Sequence, residues 1–258
     1  MRIAIISVGR EILRGRVLDT NSNYLARELT ALGHQVVRIS QIDDIREEII
    51  WEVKYAASSP VEVIITTGGL GPTSDDITIP SIAAAFDTPC FENKEALKIV
   101  EERYRYFYEK GAVESPDLTP ERKKMACFPE GAVPLFNNVG AAPGMKWEKN
   151  GITIYSLPGV PAEMKYIFEN HIKPDLEERN IYRERFVETP CRDESLLEKY
   201  ISDFKKRNPD IYIKSVPEKF GKEVRIKVVI GMRGDREKIE ELLTSLAGEF
   251  LKSIREPC

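Results

Sequence analysis

Short apolar runs alternate with amphipathic runs through the first third of the chain. Three runs have the length and β-branched content of buried strands: 2–8, 35–42 and 61–67. The segments 22–33 and 44–57 between them carry apolar residues at helical spacing. Strand, helix, strand, helix and strand in this order predict a parallel sheet with right-handed crossovers and helices on both faces.

The sequence also predicts where these helices begin and end. Gly33 follows the last apolar residue of the first helix and is expected to end it. Asp19 or Asn21, in the sequence DTN, is expected to hold its start. We expect Asp44 to cap the second helix.

The pattern changes after the third strand. Segments 77–86, 94–111 and 119–128 predict helices, and 158–178 is typical of a loop running into a helix. Short apolar runs among prolines and glycines fill 129–157. This composition favours a small β-rich subdomain beside the main sheet.

The last third predicts strand, helix, strand, strand and helix, which favours a separate, small α+β domain. We place the boundary between the two domains after residue 176, so that they comprise residues 1–176 and 177–258. Residues 231–234 spell GMRG, the G-x-x-G of KH domains, but here they are expected to join a strand to a helix, with Asp235 as a cap. This position favours a turn over a nucleic-acid loop.

Composition limits the kinds of molecule that the protein is expected to bind and the compartment in which it is expected to lie. The net charge of -4 offers no basic field for nucleic acid, so nucleic acid is not the expected partner. Four cysteines lack metal-ligand spacing, and we expect ordinary thiols in a reducing compartment: Cys90, Cys127, Cys191 and Cys258. No apolar run is long enough for a membrane span or a signal peptide, so we expect a soluble, cytoplasmic protein with no membrane partner.

The run RYRYFY at 103–108 alternates cationic and aromatic residues. On a helix, Tyr104, Phe107 and Tyr108 share one face and the arginines lie on another. This arrangement predicts a packing helix or a subunit contact rather than a stacking surface for bases.

Candidate chemistry concentrates where the first three strands end. Each strand is followed by glycine or acidic residues, which a parallel sheet brings to one rim. They are Gly9 and Glu11 after the first strand, Asp43 after the second, and Gly68, Gly69, Gly71, Thr73, Asp75 and Asp76 after the third. The third set lies in TTGGLGPTSDDIT, at 66–78.

Glycines allow backbone N–H groups to approach an anion, and the following helix start adds a positive dipole end. Nearby carboxylates would repel a phosphate unless a divalent cation lies between them. The combination predicts a metal-bridged phosphate or pyrophosphate. A tight turn with a capping aspartate would also explain the segment 66–78. Glu11 is also typical of a solvated loop, and Asp43 could cap a helix together with Asp44. Neither the Walker A sequence nor G-x-G-x-x-G after the first strand is present, which argues against nucleotide folds of those types.

Four motifs in order give the chain a family resemblance. GREIL at 9–13 with DTN at 19–21, TTGGLGPTSDDIT, NNVGAAPGM at 137–145 and LPGVPAEM at 157–164 resemble the motifs of the CinA family. Ala141 departs from the pattern, since many members have threonine there and this chain lacks that hydroxyl.

The resemblance implies a three-layer α/β/α sandwich of the MogA/MoaB molybdopterin-binding type, followed by a KH-like module. It implies metal-dependent ADP-ribose pyrophosphatase activity, with Mg²⁺, Mn²⁺ or Co²⁺ as cofactor, and as the alternative a molybdopterin-binding protein without hydrolysis. The expected ligand is therefore a nucleotide or a pterin, and the related proteins suggest a homo-oligomer. Bacterial members also carry a nicotinamide-nucleotide deamidase domain, and we do not expect that domain or its activity here, because the 258 residues end directly after the predicted α+β module.

The resemblance also implies roles for individual residues. Asp75 and Asp76 would be catalytic and hold the metal, and the glycines of the 68–71 segment with Thr73 would hold phosphate. Glu11 and Asp43 would add carboxylates at the rim, near Gly9. Six further residues would line the other wall: Gly140, Pro143, Gly144, Pro158, Gly159 and Glu163.

Overall fold

A computed structural model describes residues 1–177, 180–216 and 226–254. The chain divides into two compact units, one formed by residues 1–29 and 34–177 and the other by residues 30–33 and 178–258.

The first unit combines parallel strands with helices. Strands β1 to β8 are Arg2–Val8, Gln35–Ile42, Val63–Thr67, Cys90–Glu92, Cys127–Pro129, Val133–Leu135, Gly144–Lys149 and Ile152–Leu157. Helices α1 to α8 are Arg10–Leu13, Thr20–Ala31, Arg46–Ser58, Thr78–Ala85, Lys94–Glu109, Pro120–Lys124, Pro161–Ile167 and Lys173–Asp175. A π-helical turn at Phe168–Ile172 connects α7 to α8.

The main sheet has the strand order β2-β1-β3-β8-β7-β6. Strands β2, β1, β3 and β8 are mutually parallel, whereas β7, next to the β6 edge, pairs antiparallel with both β8 and β6. This mixed, mostly parallel sheet confirms the α/β class predicted from the sequence. Its three parallel neighbours β1, β3 and β8 bring their carboxyl ends side by side.

The prediction of a separate β-rich subdomain at 129–157 is wrong. Strand β8 pairs in parallel with β3, with Ile64 opposite Ile154, and so enters the centre of the main sheet. Its run ITIYSL is buried along nearly its whole length, because layers cover both faces of the sheet. The short strands and the prolines around it concealed this central position.

Apolar residues of β1 alternate between the two faces of the sheet. Ile6 joins a large buried cluster with Val53 of α3, Ile82 of α4 and Val100 of α5. Ile5 points to the other face and is fully buried as well. Helices α2 and α7 bury side chains that do not belong to the Ile6 cluster, as expected for a second helix layer in a sandwich of helix, sheet and helix layers.

The helix predicted at 119–128 is wrong at its end, since α6 stops at Lys124 and Cys127 and Phe128 belong to β5. The sequence did not reveal the short strands β4 and β5. They form a two-stranded antiparallel sheet in which Phe91 lies opposite Phe128. Each is three residues long, below the length at which alternation of polar and apolar residues is informative.

The second unit is a small α+β module. Its elements are β9 (Asn180–Glu188), α9 (Glu194–Arg207), β10 (Tyr212–Val216), β11 (Lys227–Asp235) and α10 (Ile239–Ser253). The three strands form an antiparallel sheet in the order β10-β11-β9. The sequence KEVRIKVVIG at 222–231 predicts the last of these strands; β11 begins at Lys227, and residues 222–225 lie outside the described residues.

The interpretation of GMRG as a turn is wrong, and the segment is not a KH-type loop either. Gly231 to Gly234 lie inside β11 and pair with Glu184 to Ile181 of β9. Asp235 is the last residue of the strand, and its carboxylate accepts the backbone N–H of Glu237 at 3.0 Å instead of capping α10.

The cysteines differ from the expectation of ordinary thiols. Cys90 and Cys127 are free, but Cys191 is disulfide-bonded and fully buried. Sequence spacing does not show which cysteines a fold brings together, so this pairing was missed. Cys258, the fourth cysteine, lies outside the described residues. Among the described residues, no helix combines the length and the apolar character that a bilayer crossing requires.

Candidate binding site

A cavity of about 570 Å³ opens where β1, β3 and β8 end. Its lining comes mainly from the segments that directly follow these strands, together with Asp44 after β2, Tyr104 of α5, Met125 and the 137–142 loop. Ten of the predicted site residues line it: Gly9, Glu11, Gly68, Gly69, Gly71, Asp75, Asp76, Pro158, Gly159 and Glu163. The carboxyl ends of parallel strands are the usual ligand position in such sheets, and the cavity volume is within the range of small-molecule sites.

The glycines at 68 and 69 are required by packing. Both have positive φ, 95° and 68°. A Cβ on Gly68 would lie 2.2 Å from the carbonyl oxygen of Val8, and one on Gly69 would lie 2.2 Å from the hydroxyl of Thr78. That hydroxyl donates to the Gly68 carbonyl at 2.9 Å, and the Gly68 N–H donates to the Leu157 carbonyl at 2.9 Å. The loop therefore packs against the end of β1 and is hydrogen-bonded to β8 and α4.

Gly159 brings a second loop against the first. Its ideal Cβ position is 3.3 Å from the Cα of Gly68, so the two backbones nearly touch. The Gly159 carbonyl accepts a hydrogen bond of 2.7 Å from the side-chain amide of Asn21 in α2. The sequence motifs DTN, TTGG and LPG thus meet at one point of the fold.

Thr73 positions the acidic pair instead of lining the cavity. Its hydroxyl oxygen lies 2.5 Å from Asp75 Oδ1 and 2.6 Å from Asp76 Oδ2. Its N–H donates to Asp76 Oδ2 at 2.9 Å, and its carbonyl accepts from the Lys124 ammonium. The hydrogen bond from Thr73 is the main reason that the pKa of Asp75 is lowered.

Asp44, rather than the predicted Asp43, lines the cavity. The expected cap at Asp44 is wrong, since α3 begins at Arg46 after Ile45 and no side chain caps it. Arg10 binds Asp43 at 2.9 Å and approaches Asp44 at 3.2 Å. A hydrogen bond between the two carboxyl groups, followed by Arg10, lowers the pKa of Asp43, and the same hydrogen bond raises the pKa of Asp44.

Glu163 stands on the wall formed by α7 and the 137–142 loop. Its carboxylate accepts from the Asn137 side-chain amide at 2.6 Å. A Cβ on Gly140 would lie 1.9 Å from this carboxylate, so Gly140 supports Glu163 without lining the cavity itself. Burial raises the pKa of Glu163, opposed by the Asn137 hydrogen bond and the charge of Arg103.

Arg103 is the residue of this wall that the sequence interpretation misplaced. It was expected on the outer face of its helix, but only 5% of it is exposed. Its guanidinium donates to the Gly140 carbonyl at 2.9 Å, to Asn138 Oδ1 at 3.2 Å and to the Val139 carbonyl at 3.3 Å. A signal was available, because buried Ala96 and Val100 precede Arg103 at helical spacing on the same face.

Pro143 and Gly144 lie in the structural part of the fold. Gly144 begins β7, where an added Cβ would lie 3.1 Å from both Ile167 and the Ser156 carbonyl. Neither residue lines the cavity. The structure therefore separates these two residues from the other predicted wall residues Pro158, Gly159 and Glu163.

The cavity is strongly acidic. Five carboxylates line it: Glu11, Asp44, Asp75, Asp76 and Glu163. In the described part of the chain, no group of three or more His, Cys, Asp or Glu side chains is arranged to hold a metal ion. Mg²⁺ in proteins is usually held by one or two carboxylates together with waters and phosphate oxygens.

Residues 4–178 match the sequence profile of a family described as "Probable molybdopterin binding domain". A protein of Pyrobaculum calidifontis is 42% identical over 217 residues, which is 83% of this chain and 80% of the relative. Protein PH0439 of Pyrococcus horikoshii is 38% identical over 248 residues, 96% of this chain and 95% of the relative. The crystal structure of the protein CinA with unknown function from Thermoplasma acidophilum superposes with a TM-score of 0.62 at 32% identity, covering 69% of this chain and 100% of that one.

Proposed function

Since the chain belongs to the family of probable molybdopterin-binding domains, we propose that its cavity binds a phosphorylated pterin-type molecule. The observation that supports this most directly is the pairing of two features in one cavity. The Gly68–Gly71 loop, whose glycines allow backbone N–H groups to approach an anion, offers the features of an anion site, and the Glu163 carboxylate offers a partner for donors.

Glu163 fits the edge of a pterin ring. A pterin presents an amino group and a ring N–H side by side, and a carboxylate can accept both at once. Asn137 holds Glu163 through one oxygen, Oε2, and a side chain fixed in this way is prepared to receive a planar ligand. An acidic cavity thus suits a phosphorylated pterin better than it suits phosphate alone.

Glu163→Gln tests this assignment. The amide keeps the shape but replaces an acceptor by a donor, so affinity for neopterin monophosphate should fall by about ten-fold or more. Affinity for inorganic pyrophosphate, which lacks the ring, should change by less than about two-fold. Isothermal titration calorimetry measures both, with exposed Glu114→Gln as the matched control. Absence of affinity for the phosphorylated pterin, or equal losses for both ligands, would contradict the proposal.

A second candidate function is metal-dependent hydrolysis of a nucleotide pyrophosphate such as ADP-ribose. One observation favours it: Asp75 Oδ1 and Asp76 Oδ2 both lie within 2.6 Å of the Thr73 hydroxyl oxygen, which has a single proton to share. Two carboxylates drawn this close attract a cation, and Mg²⁺ or Mn²⁺ prefers oxygen ligands of this kind. Asp75 and Asp76 would hold the metal, which when bound would supply an activated water and neutralise phosphate charge.

The hydrolase candidate predicts release of AMP from ADP-ribose with Mg²⁺, Mn²⁺ or Co²⁺. Asp75→Asn and Asp76→Asn should each lower kcat/KM by about 100-fold or more, because one metal ligand is lost in each. Asp203→Asn, on the exposed surface of the second unit, is the control. Chromatographic detection of AMP gives the readout, and undiminished turnover in both cavity variants, or none in the parent protein with any of the metals, would exclude this function.

A further inference from the structure

A second, smaller pocket of about 70 Å³ adjoins the main cavity. Four residues line both spaces: Val8, Glu11, Gly159 and Pro161. The smaller pocket is bordered additionally by the exposed loop before α2 and by polar side chains of β1, β3 and α2. It lies where the first and third of the parallel strands end.

Asn21 has an unused acceptor at this pocket. Asp19, not Asn21, holds the start of α2, since its Oδ1 accepts the Ser22 N–H at 2.9 Å. The Asn21 amide nitrogen instead donates to the Gly159 carbonyl, which fixes the orientation of the whole carboxamide. Asn21 is only 7% exposed, and within the described part of the chain its buried Oδ1 atom has no hydrogen-bond partner. A buried acceptor without a donor is unfavourable, so this atom is suited to a donor that arrives with a ligand.

Two carboxylates, Glu11 and Asp19, also line the pocket as acceptors, and its hydroxyls can both accept and donate. The hydroxyls of Ser7 and Thr67 lie 3.3 Å apart and share one hydrogen bond, and both residues are almost fully buried. Glu11 adds a carboxylate from the side shared with the main cavity. A phosphate would meet acceptors here and be repelled, whereas a hydroxyl can donate to them. The pocket is too small for a bicyclic ring but has room for a carbon that carries a hydroxyl.

We propose that this pocket is a subsite for a hydroxyl group of the ligand, with Asn21 Oδ1 as the acceptor that recognises it. The ligand class is then a phosphate ester of a polyhydroxylated carbon chain or sugar, with its phosphate at the Gly68–Gly71 loop. The placement of the phosphate rests on the proposed function, whereas the assignment of the smaller pocket to a hydroxyl group does not.

Ribose 5-phosphate and inorganic phosphate are the probes that test the subsite. Calorimetry on the full chain should show ribose 5-phosphate binding about ten-fold more tightly than phosphate. Asn21→Leu should abolish this advantage and leave the affinity for phosphate within about two-fold. Asn170→Leu is the matched control, because the Asn170 amide also donates to a backbone carbonyl but borders neither cavity, and it should keep the advantage.

Ser7→Ala provides a second variant that preserves the bond between Asn21 and Gly159. It should lower the advantage of ribose 5-phosphate by about three-fold, so the proposal stays testable if Asn21→Leu does not fold. Equal binding of the two probes to the parent protein, or no binding of ribose 5-phosphate, would overturn the subsite. Binding of neopterin monophosphate that is unchanged in both variants would also overturn it, while leaving the proposed function intact. Discrimination between the probes without any pterin binding would refute the proposed function alone.

Discussion

Gly68→Ala is expected to lower the thermal midpoint of the first unit by about 10 °C. The new methyl group would lie 2.2 Å from the carbonyl oxygen of Val8, a backbone atom that cannot move without displacing β1. The residue also has a φ of 95°, which residues other than glycine rarely adopt. Strain in the left-handed region and overpacking together cost about 3–5 kcal/mol. The loop should also shift relative to the cavity, so ligand affinity should fall with stability.

Gly111→Ala separates the two causes. Gly111 also has a positive φ, 69°, but an added Cβ would meet nothing within 4 Å. Only the conformational cost remains, about 1 kcal/mol, or roughly 3 °C. Both tryptophans, Trp51 and Trp147, belong to the first unit, so tryptophan fluorescence follows the unfolding of this unit alone. Equal shifts of the thermal midpoint in the two variants would show that close packing against Val8 is not what requires Gly68.

The sequence predicted the parts of the fold that depend on local pattern. Strands β1, β2 and β3 were placed within about two residues because their apolar runs are short, uninterrupted and flanked by helices of clear periodicity. The site at the ends of these strands followed from topology, since parallel neighbours must end at one rim. This reasoning placed Gly9, Glu11, the glycines at 68, 69 and 71, and the pair Asp75 and Asp76 at the cavity.

What the sequence could not predict depends on contacts between distant segments. Strand β8 enters the centre of the sheet, a pairing of residues about ninety positions apart that local pattern does not encode. Asp43 and Asp44 could not be distinguished by position, and Arg10, which binds both, decides their orientation. The free acceptor of Asn21 was hidden because either Asp19 or Asn21 could have capped α2 by local rules.

The position of Arg103 also depends on contacts between distant segments, and its replacement gives the second large effect. We expect Arg103→Met to lower the stability of the first unit by about 2–3 kcal/mol. Methionine retains most of the buried aliphatic contacts but leaves the Gly140 and Val139 carbonyls and Asn138 without their donor. Since Gly140 packs against the Glu163 carboxylate, loosening of this loop should also weaken ligand binding by about ten-fold.

Two further variants identify the reason for the loss. Arg103→Lys keeps the charge, but one ammonium cannot replace the planar guanidinium at three acceptors, so most of the loss should remain. Arg105→Met, on the same helix, removes an exposed pair with Glu101 and should cost less than about 0.5 kcal/mol. Chemical denaturation followed by tryptophan fluorescence gives the comparison. Equal effects at positions 103 and 105 would mean that the arginine does not support the loop, and full recovery by lysine would mean that charge alone suffices. Because the loop carries no regular secondary structure between Phe136 and Pro143, its shape depends on the few hydrogen bonds that Arg103 and Asn137 make to it.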